Sequence, residues 1–321
     1  MSSFADDTKL WRGIQTHECE TSLQNELHQI YRWAEANNME FNTKKFQAIR
    51  FNEVLGECSY KGSDGTNIEQ IKTVRDLGIY ITEDLSFNHH IHTLIKRGNQ
   101  MAGWILRVFR GRSRDLLVPL LKQLIIPRVE YCSILWSPSS QMLIQRLESV
   151  QKNFTSKILF GGDNEQKNYW ERLTELKLYS LQRRRDRYCI LYTWKVLHGI
   201  YPNPGIGLNH VFQAIHEARP NRGVDVVTIN ERTMEITAGH FIPENSRLSS
   251  HSILKRCCDL YNQIPSQMRT LLTGNGSPSL DKFKAELDTW LQKLPDQPTI
   301  PGHHRLAQTN SILHQKEFGT N

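Results

Sequence analysis

Apolar residues recur at helical spacing through most of this chain and fall into strand-like runs in only a few short places. Leu23, Leu27, Ile30 and Ala34 share one face of a helix that the capping box Thr21-x-x-Gln24 opens and Asn37-Asn38 closes. Lys45 to Phe51, Glu57 to Tyr60 and Val74 to Ile81 read as strands, with Lys61-Gly-Ser-Asp-Gly65 as a connecting turn. From Asn88 the period is helical again: Ile91, Leu94, Ile95, Ala102, Ile105, Leu106 and Phe109 line one face. Ser113 is placed to cap a further helix, which Pro119 and Pro127 should kink or break. Leu143, Leu147, Val150, Phe154 and Ile158 make another stripe that stops at Gly161-Gly162, and a helical pair follows over Tyr169 to Leu178 and Ser180 to His198.

Beyond this point the texture changes. Tyr201 to Gly207 carries two prolines and two glycines and is the best linker candidate. Val224 to Ile229 and Met234 to Ala238 predict strands, Ser250 to Gln263 and Leu280 to Leu294 predict helices, and the Gly/Ser-rich stretch Thr273 to Ser279 separates those helices. From Pro295 the chain is rich in Pro, Gly, His, Gln and Asn, which predicts a disordered tail. The expected class is α+β, divided into residues 1–87 with a hairpin, a helix and short strands, a helical part 88–200, a small mixed α/β domain 201–294 and a tail 295–321.

With 321 residues, 38% of them hydrophobic, the chain has enough apolar surface for a real core and is not a disordered protein. The formal charge of +7 and a pI near 9.1 favour polyanionic partners. Six cysteines, Cys19, Cys58, Cys132, Cys189, Cys257 and Cys258, contain no Cys-x-x-Cys pair, which points to a reducing, intracellular setting, nucleus or cytoplasm. The first residues have neither a basic nor an apolar leader pattern. The most apolar stretch, Leu116 to Pro127, is interrupted by Pro119 and Lys122, so no membrane partner is expected.

Three groups of residues carry candidate chemistry. In Ser3-Phe4-Ala5-Asp6-Asp7-Thr8 two adjacent carboxylates would occupy the tip of a hairpin if Met1 to Ala5 and Thr8 to Arg12 pair. Adjacent hard oxygen ligands suit magnesium; the same residues also make an ordinary surface turn. Arg107, Arg110, Arg112 and Arg114 form one basic cluster, and Arg183, Arg184, Arg185 and Arg187 a second. On a helix Arg184 and Arg187 share a face, as would Arg110 and Arg114, and Trp104, Phe109 and Tyr188 are interleaved where they could stack on bases. Solvated faces paired with Asp115 and Asp186 are the alternative. His89, His90 and His92 have no acid or Cys at ligand spacing and read as structural, and His303-His304 reads as incidental. There is no phosphate-binding glycine loop and no nucleophile elbow.

The run Phe4-Ala-Asp-Asp-Thr-Lys-Leu10 resembles the aromatic-Ala-Asp-Asp box of reverse transcriptases. The pieces after it are similar, in order and spacing, to the polymerases of non-LTR (LINE-type, jockey-like) retrotransposons. They are Leu23 to Trp33-Ala34, Met39-Glu-Phe-Asn42-Thr-Lys-Lys45, Asp76-Leu-Gly-Ile79, Asp84-Leu-Ser-Phe87 with His90-Ile91, and Pro127-Arg-Val-Glu-Tyr131-Cys-Ser with Trp136-Ser-Pro138. Leu147-Glu-Ser-Val-Gln151, Arg172-Leu-Thr-Glu-Leu-Lys-Leu178 with Ser180-Leu181 and Arg183-Arg184, then Tyr261-Asn-Gln-Ile-Pro265 and Phe283-Lys-x-x-Leu287-Asp288 follow.

This resemblance implies the end of a polymerase palm, then a helical thumb, then a trailing domain. It implies that Asp6 and Asp7 are the second and third carboxylates of a two-magnesium site, with Asp6 the principal ligand. Lys45 would match the Lys of an Asn-x-x-Lys box, a proton donor to the leaving group, or be a solvated strand-end lysine; Phe46 stands where the family commonly has Cys. The partners implied for the intact enzyme are an RNA template, a DNA primer and deoxynucleoside triphosphates. The family's first carboxylate comes from an upstream strand, and the five residues before Asp6 contain no acid. The chain therefore reads as a C-terminal fragment of an RNA-directed DNA polymerase, inactive alone. Its rivals are a non-catalytic nucleic-acid-binding or interaction module derived from such an element and, third, an unrelated Asp-Asp metal hydrolase.

Overall fold

The computed structural model describes residues 1–5, 7–51, 59–158, 167–198, 200, 227–230, 235–238, 253–269, 279–297 and 310–315. The chain divides into two compact units, Met1–His90 and Ile91–Asn321. Its class is α+β, mainly helical, with four two-stranded sheets among the described residues.

The first unit begins with the antiparallel pair β1 (Ser2–Phe4) and β2 (Asp7–Lys9), in which Phe4 faces Asp7. Ala5 in the connection is left-handed, with φ 49°. Helix α1 runs His17–Ala36, so it starts before the capping box expected at Thr21. Glu18 and Glu20 favour the earlier start by complementing the helix dipole in the first turn. The Thr21 hydroxyl donates to the His17 carbonyl within the helix instead of capping it. Leu27 and Ala34 bury its inner face, and Tyr31 packs with Phe41 and Phe46 at ring separations of 5.9 and 5.5 Å. Gln24 ties α1 to the turn at Lys61: its side chain accepts from the Lys61 N–H at 2.8 Å and donates to the Lys61 carbonyl at 3.0 Å.

The strands of this unit are shorter than the pattern suggested. Only Gln47–Ala48 (β3) forms a strand within the first run, and it pairs in parallel with Glu69–Gln70 (β4). Of the strand expected over Glu57 to Tyr60, the first two residues lie outside the described residues, and Ser59 and Tyr60 belong to no strand. The single strand expected over Val74 to Ile81 is a hairpin of β5 (Thr73–Asp76) and β6 (Ile79–Thr82). Leu77 and Gly78 turn it with φ of 43° and 89°, the double positive-φ geometry that suits strand twist in a two-residue loop. A leucine there hides the turn from composition.

The second unit opens with α2 (Asn88–Val108), and α3 (Arg114–Leu120) follows behind Ser113. Pro119 does not end the helix. The chain widens through one π turn, Leu121–Ile125, and re-enters α4 (Ile126–Glu130), a way of absorbing proline's missing N–H and its clash with the preceding turn. The run ends at Cys132, left-handed at φ 53°, where the Trp136 indole of α5 (Ser133–Trp136) donates to the Tyr131 carbonyl at 2.7 Å. Helix α6 (Gln141–Thr155) buries Leu143, Leu147, Val150 and Phe154 as its stripe predicts; Gly161-Gly162 lies outside the described residues.

Gly98 sets how closely α2 approaches α4 and α6, because a Cβ there would stand 2.8 Å from Val129 Cγ1 and 3.0 Å from Val150 Cγ1. Both neighbours are buried β-branched side chains with little room to turn. Gly98→Val is expected to destabilise the unit by about 1–3 kcal/mol through overpacking, measurable as a lowered urea midpoint at constant m-value. An unchanged midpoint would show that the helices slide apart freely.

Helix α7 (Tyr169–Glu175) starts with a complete capping box at Asn168, and α8 (Leu181–Leu197) starts behind Ser180. Strands β7 (Val227–Asn230) and β8 (Glu235–Ala238) form an antiparallel pair. The linker candidate Tyr201 to Gly207 lies outside the described residues. Helices α9 (Ile253–Gln263), α10 (Ser266–Arg269), α11 (Leu280–Lys293) and α12 (Ile312–Gln315) complete the unit.

The core crosses the stretch around residue 200. Ile190 and Trp194 of α8, Leu260 and Tyr261 of α9, Phe283 and Leu287 of α11, and Ile312 of α12 form one hydrophobic cluster. Trp194 stacks on Phe283 at 4.6 Å. Within the Pro- and Asn-rich segment after Pro295, Asn310 and Ser311 are buried with Ile312. This part of the expected tail is held because its polar groups find buried partners: Ser311 and the Ile312 N–H both donate to Asp186.

Candidate nucleic-acid interface

Asp7 opens β2 and is exposed; Asp6 lies outside the described residues. Lys45 ends the 3-10 turn Thr43–Lys45, exposed, with its N–H on the Asn42 carbonyl at 3.0 Å. Among the described residues no hydrogen bond or ion pair joins Asp7 to Lys45. The hairpin is instead anchored by Lys9, whose ammonium lies 2.6 Å from both Asp76 carboxylate oxygens. As a half-exposed pair this contributes little stability, about 1 kcal/mol or less. Its consequence is positional, since it ties β2 to β5 and neutralises Asp76.

Asp84 is also engaged: it accepts from the Thr82 hydroxyl at 2.5 Å and the Ser86 N–H at 3.1 Å, bonds that hold its carboxyl below the usual range. Among the described residues no group of three or more His, Cys, Asp or Glu is placed to hold a metal ion. Asp7 offers one hard-oxygen donor of the kind magnesium takes, but the described donors do not complete a two-metal site. His89 and His90 make ring contacts with Tyr80 instead, His89 edge-on at 4.9 Å and His90 at 6.3 Å; His303-His304 lies outside the described residues.

The first arginine cluster sits where α2 hands over to α3. Arg112 turns back on the end of α2, donating to the carbonyls of Leu106 at 2.8 Å, Gly111 at 3.2 Å and Phe109. It supplies donors for carbonyls that the helix end leaves without partners. Arg107, Arg110 and Arg114 are exposed, and among the described residues no carboxylate pairs with them. Arg114 also stands at the first position of α3, where a cation opposes the helix dipole. The local fold gains nothing from that placement.

The second cluster points inward. Arg184 forms a two-pronged pair with Glu130 of α4, one prong at 2.9 Å, and Arg187 does the same with Asp288 of α11 at 2.6 and 2.7 Å. Arg183 and Arg185 are 0% and 1% exposed. Arg183 donates to the Pro295 carbonyl at 2.9 Å and Arg185 to the Gln182 side chain at 2.6 Å. The planar donor forks of Arg184 and Arg187 are used to join helices.

Sequence reading by clusters missed a broader charge feature. Residues 91–158 hold eleven lysines and arginines against three acids, Asp115, Glu130 and Glu148, a net +8 where the whole chain carries +7. Glu130 and Glu148 are only 7% and 8% exposed, leaving Asp115 as the exposed acid of this stretch. The charged groups on the outer surface of α2, α3, α4 and α6 are therefore almost all basic. A running charge sum would have located the stretch, but only burial shows that its acids are hidden.

No helix among the described residues is long and apolar enough to cross a membrane. No family model matches the chain, and no solved structure matches it. Over 163 residues, 49% of this chain, it is 22% identical to an RNA-directed DNA polymerase from the mobile element jockey of Drosophila funebris, a match covering 18% of that protein. Over 144 residues, 42% of this chain, it is 26% identical to a retrovirus-related Pol polyprotein from a type-1 retrotransposable element R1 of Nasonia vitripennis, covering 35% of it. An uncharacterized protein of Caenorhabditis elegans is 25% identical over 133 residues, 41% of this chain and 67% of that protein. The chain thus spans about a fifth to a third of the two polymerase relatives, and these partial, low-identity matches support an origin related to the reverse transcriptases of non-LTR retrotransposons.

Proposed function

We propose that the chain is a reverse-transcriptase fragment whose helical part grips nucleic acid by its phosphates. Residues 1–87 correspond to the end of a palm and 88–200 to a thumb with its helical extension, and the intact enzyme joins an RNA template, a DNA primer and deoxynucleoside triphosphates. The carrying observation is the net +8 between residues 91 and 158 with two of its three acids buried, since a one-signed surface of this kind concentrates polyanions. Arg107, Arg110 and Arg114 are the residues that meet phosphate. Arg112 supports them by capping α2, and Arg184 and Arg187 hold the scaffold. In the intact enzyme Asp6 and Asp7 are the magnesium ligands of the hairpin, and Lys45 is the proton donor.

A non-catalytic nucleic-acid-binding module descended from such an element is the second reading. The Lys9–Asp76 pair and the Asp84 turn favour it, because both engage acids of the first unit in local structure.

The test is a titration of the full chain against a labelled duplex over a range of salt. Replacing Arg107, Arg110 and Arg114 by Gln should flatten the slope of log affinity against log salt by up to about 0.9 for each phosphate that is no longer neutralised. Arg112→Gln should leave that slope alone and lower stability instead, through the freed carbonyls of α2. An unchanged slope in the triple variant would make this surface a solvated face.

A further inference from the structure

Trp104 and Val108 lie one turn apart on α2 and are 47% and 52% exposed. Gly103, next to Trp104, has open space where a side chain would begin, and Arg107 stands one turn along. An indole and an isopropyl group left in water add nothing to phosphate binding, which needs only cations. The charge around them complements a polyanion, because the exposed acid of residues 91–158 is Asp115 alone. We propose that Trp104 is a stacking platform for an unpaired base, so that this basic surface takes nucleic acid carrying a single-stranded segment. The inference rests on the phosphate-gripping reading above and names its substrate class.

The chemistry selects unpaired bases because a duplex hides its base faces in its own stack, whereas a single-stranded base presents a free π face to an aromatic ring. Arg107 is placed to meet the phosphate of the stacked nucleotide. Val108 and the bare backbone at Gly103 allow close approach on either side.

The experiment uses the full 321-residue chain and three labelled probes of equal phosphate number: a single strand, a blunt duplex, and a duplex with a single-stranded overhang. Fluorescence anisotropy at fixed salt should show Trp104→Ala weakening the single strand and the overhang probe by roughly 5- to 150-fold. The blunt duplex and the salt slope should be unchanged, and Trp104→Phe should retain most of the affinity. Equal weakening on all probes, no weakening, or a wild-type preference for the blunt duplex would overturn the platform. If the arginine variants flatten the salt slope while Trp104→Ala does nothing, only the platform fails. If wild type binds no probe, both fail.

Discussion

Purified and given a primed template, deoxynucleoside triphosphates and magnesium, the chain is expected to extend no primer. Two-metal nucleotidyl transfer needs carboxylates that bridge both ions; on the reading proposed above Asp6 and Asp7 would hold magnesium, and among the described residues no group of three or more His, Cys, Asp or Glu is placed to complete such a site. Two further acids of the first unit are occupied, Asp76 by Lys9 at 2.6 Å and Asp84 by Thr82 and Ser86. Members of a catalytic unit act together, so one missing ligand should cost on the order of 10⁴-fold or more, not a third of the rate. Adding the palm strand and fingers of a close relative by fusion should restore extension, and Asp6→Asn in the fusion should remove it again. Primer extension by the unfused chain that Asp6→Asn abolishes would show that the site is complete as it stands.

Glu148→Ala is expected to destabilise the helical unit by about 3–5 kcal/mol. Glu148 reaches from α6 to the start of α8, accepting the Leu181 and Gln182 N–H groups at 3.0 and 3.3 Å and the Tyr169 hydroxyl. Burial pushes its carboxyl up, while the Tyr169 hydroxyl, the Arg185 charge and the Leu181 N–H pull it back. Removing the carboxylate leaves helix-terminal donors without an acceptor and takes a counter-charge from the fully buried Arg185. Glu148→Gln keeps the shape and one acceptor and should cost less than the alanine. Urea unfolding of the three proteins checks this, and an alanine variant within 1 kcal/mol of wild type would mean that water replaces the carboxylate.

The longer helices of the second unit were legible because each reports itself locally. The stripes Ile91 to Phe109 and Leu143 to Phe154 have the period of the buried faces of α2 and α6, and a Ser or Asn stands at the starts of α3, α7 and α8. The first unit was harder to read. A two-residue parallel pairing such as β3 with β4 has no period to detect, and the Leu77-Gly78 turn lacks the residue that usually marks its first position.

The adjacent Asp6 and Asp7, the ordered pieces similar to retrotransposon polymerases, and the overall basicity are properties of the sequence by itself, since each depends only on residue identity and order. Which arginines face solvent is not such a property. Arg184 and Arg187 look as free along the chain as Arg107 and Arg110, yet their carboxylates lie 54 and 101 positions away in Glu130 and Asp288. Only the packing of α8 against α4 and α11 brings those opposite charges together, hides two of the three acids of residues 91–158, and leaves Arg107, Arg110 and Arg114, with Trp104, facing outward.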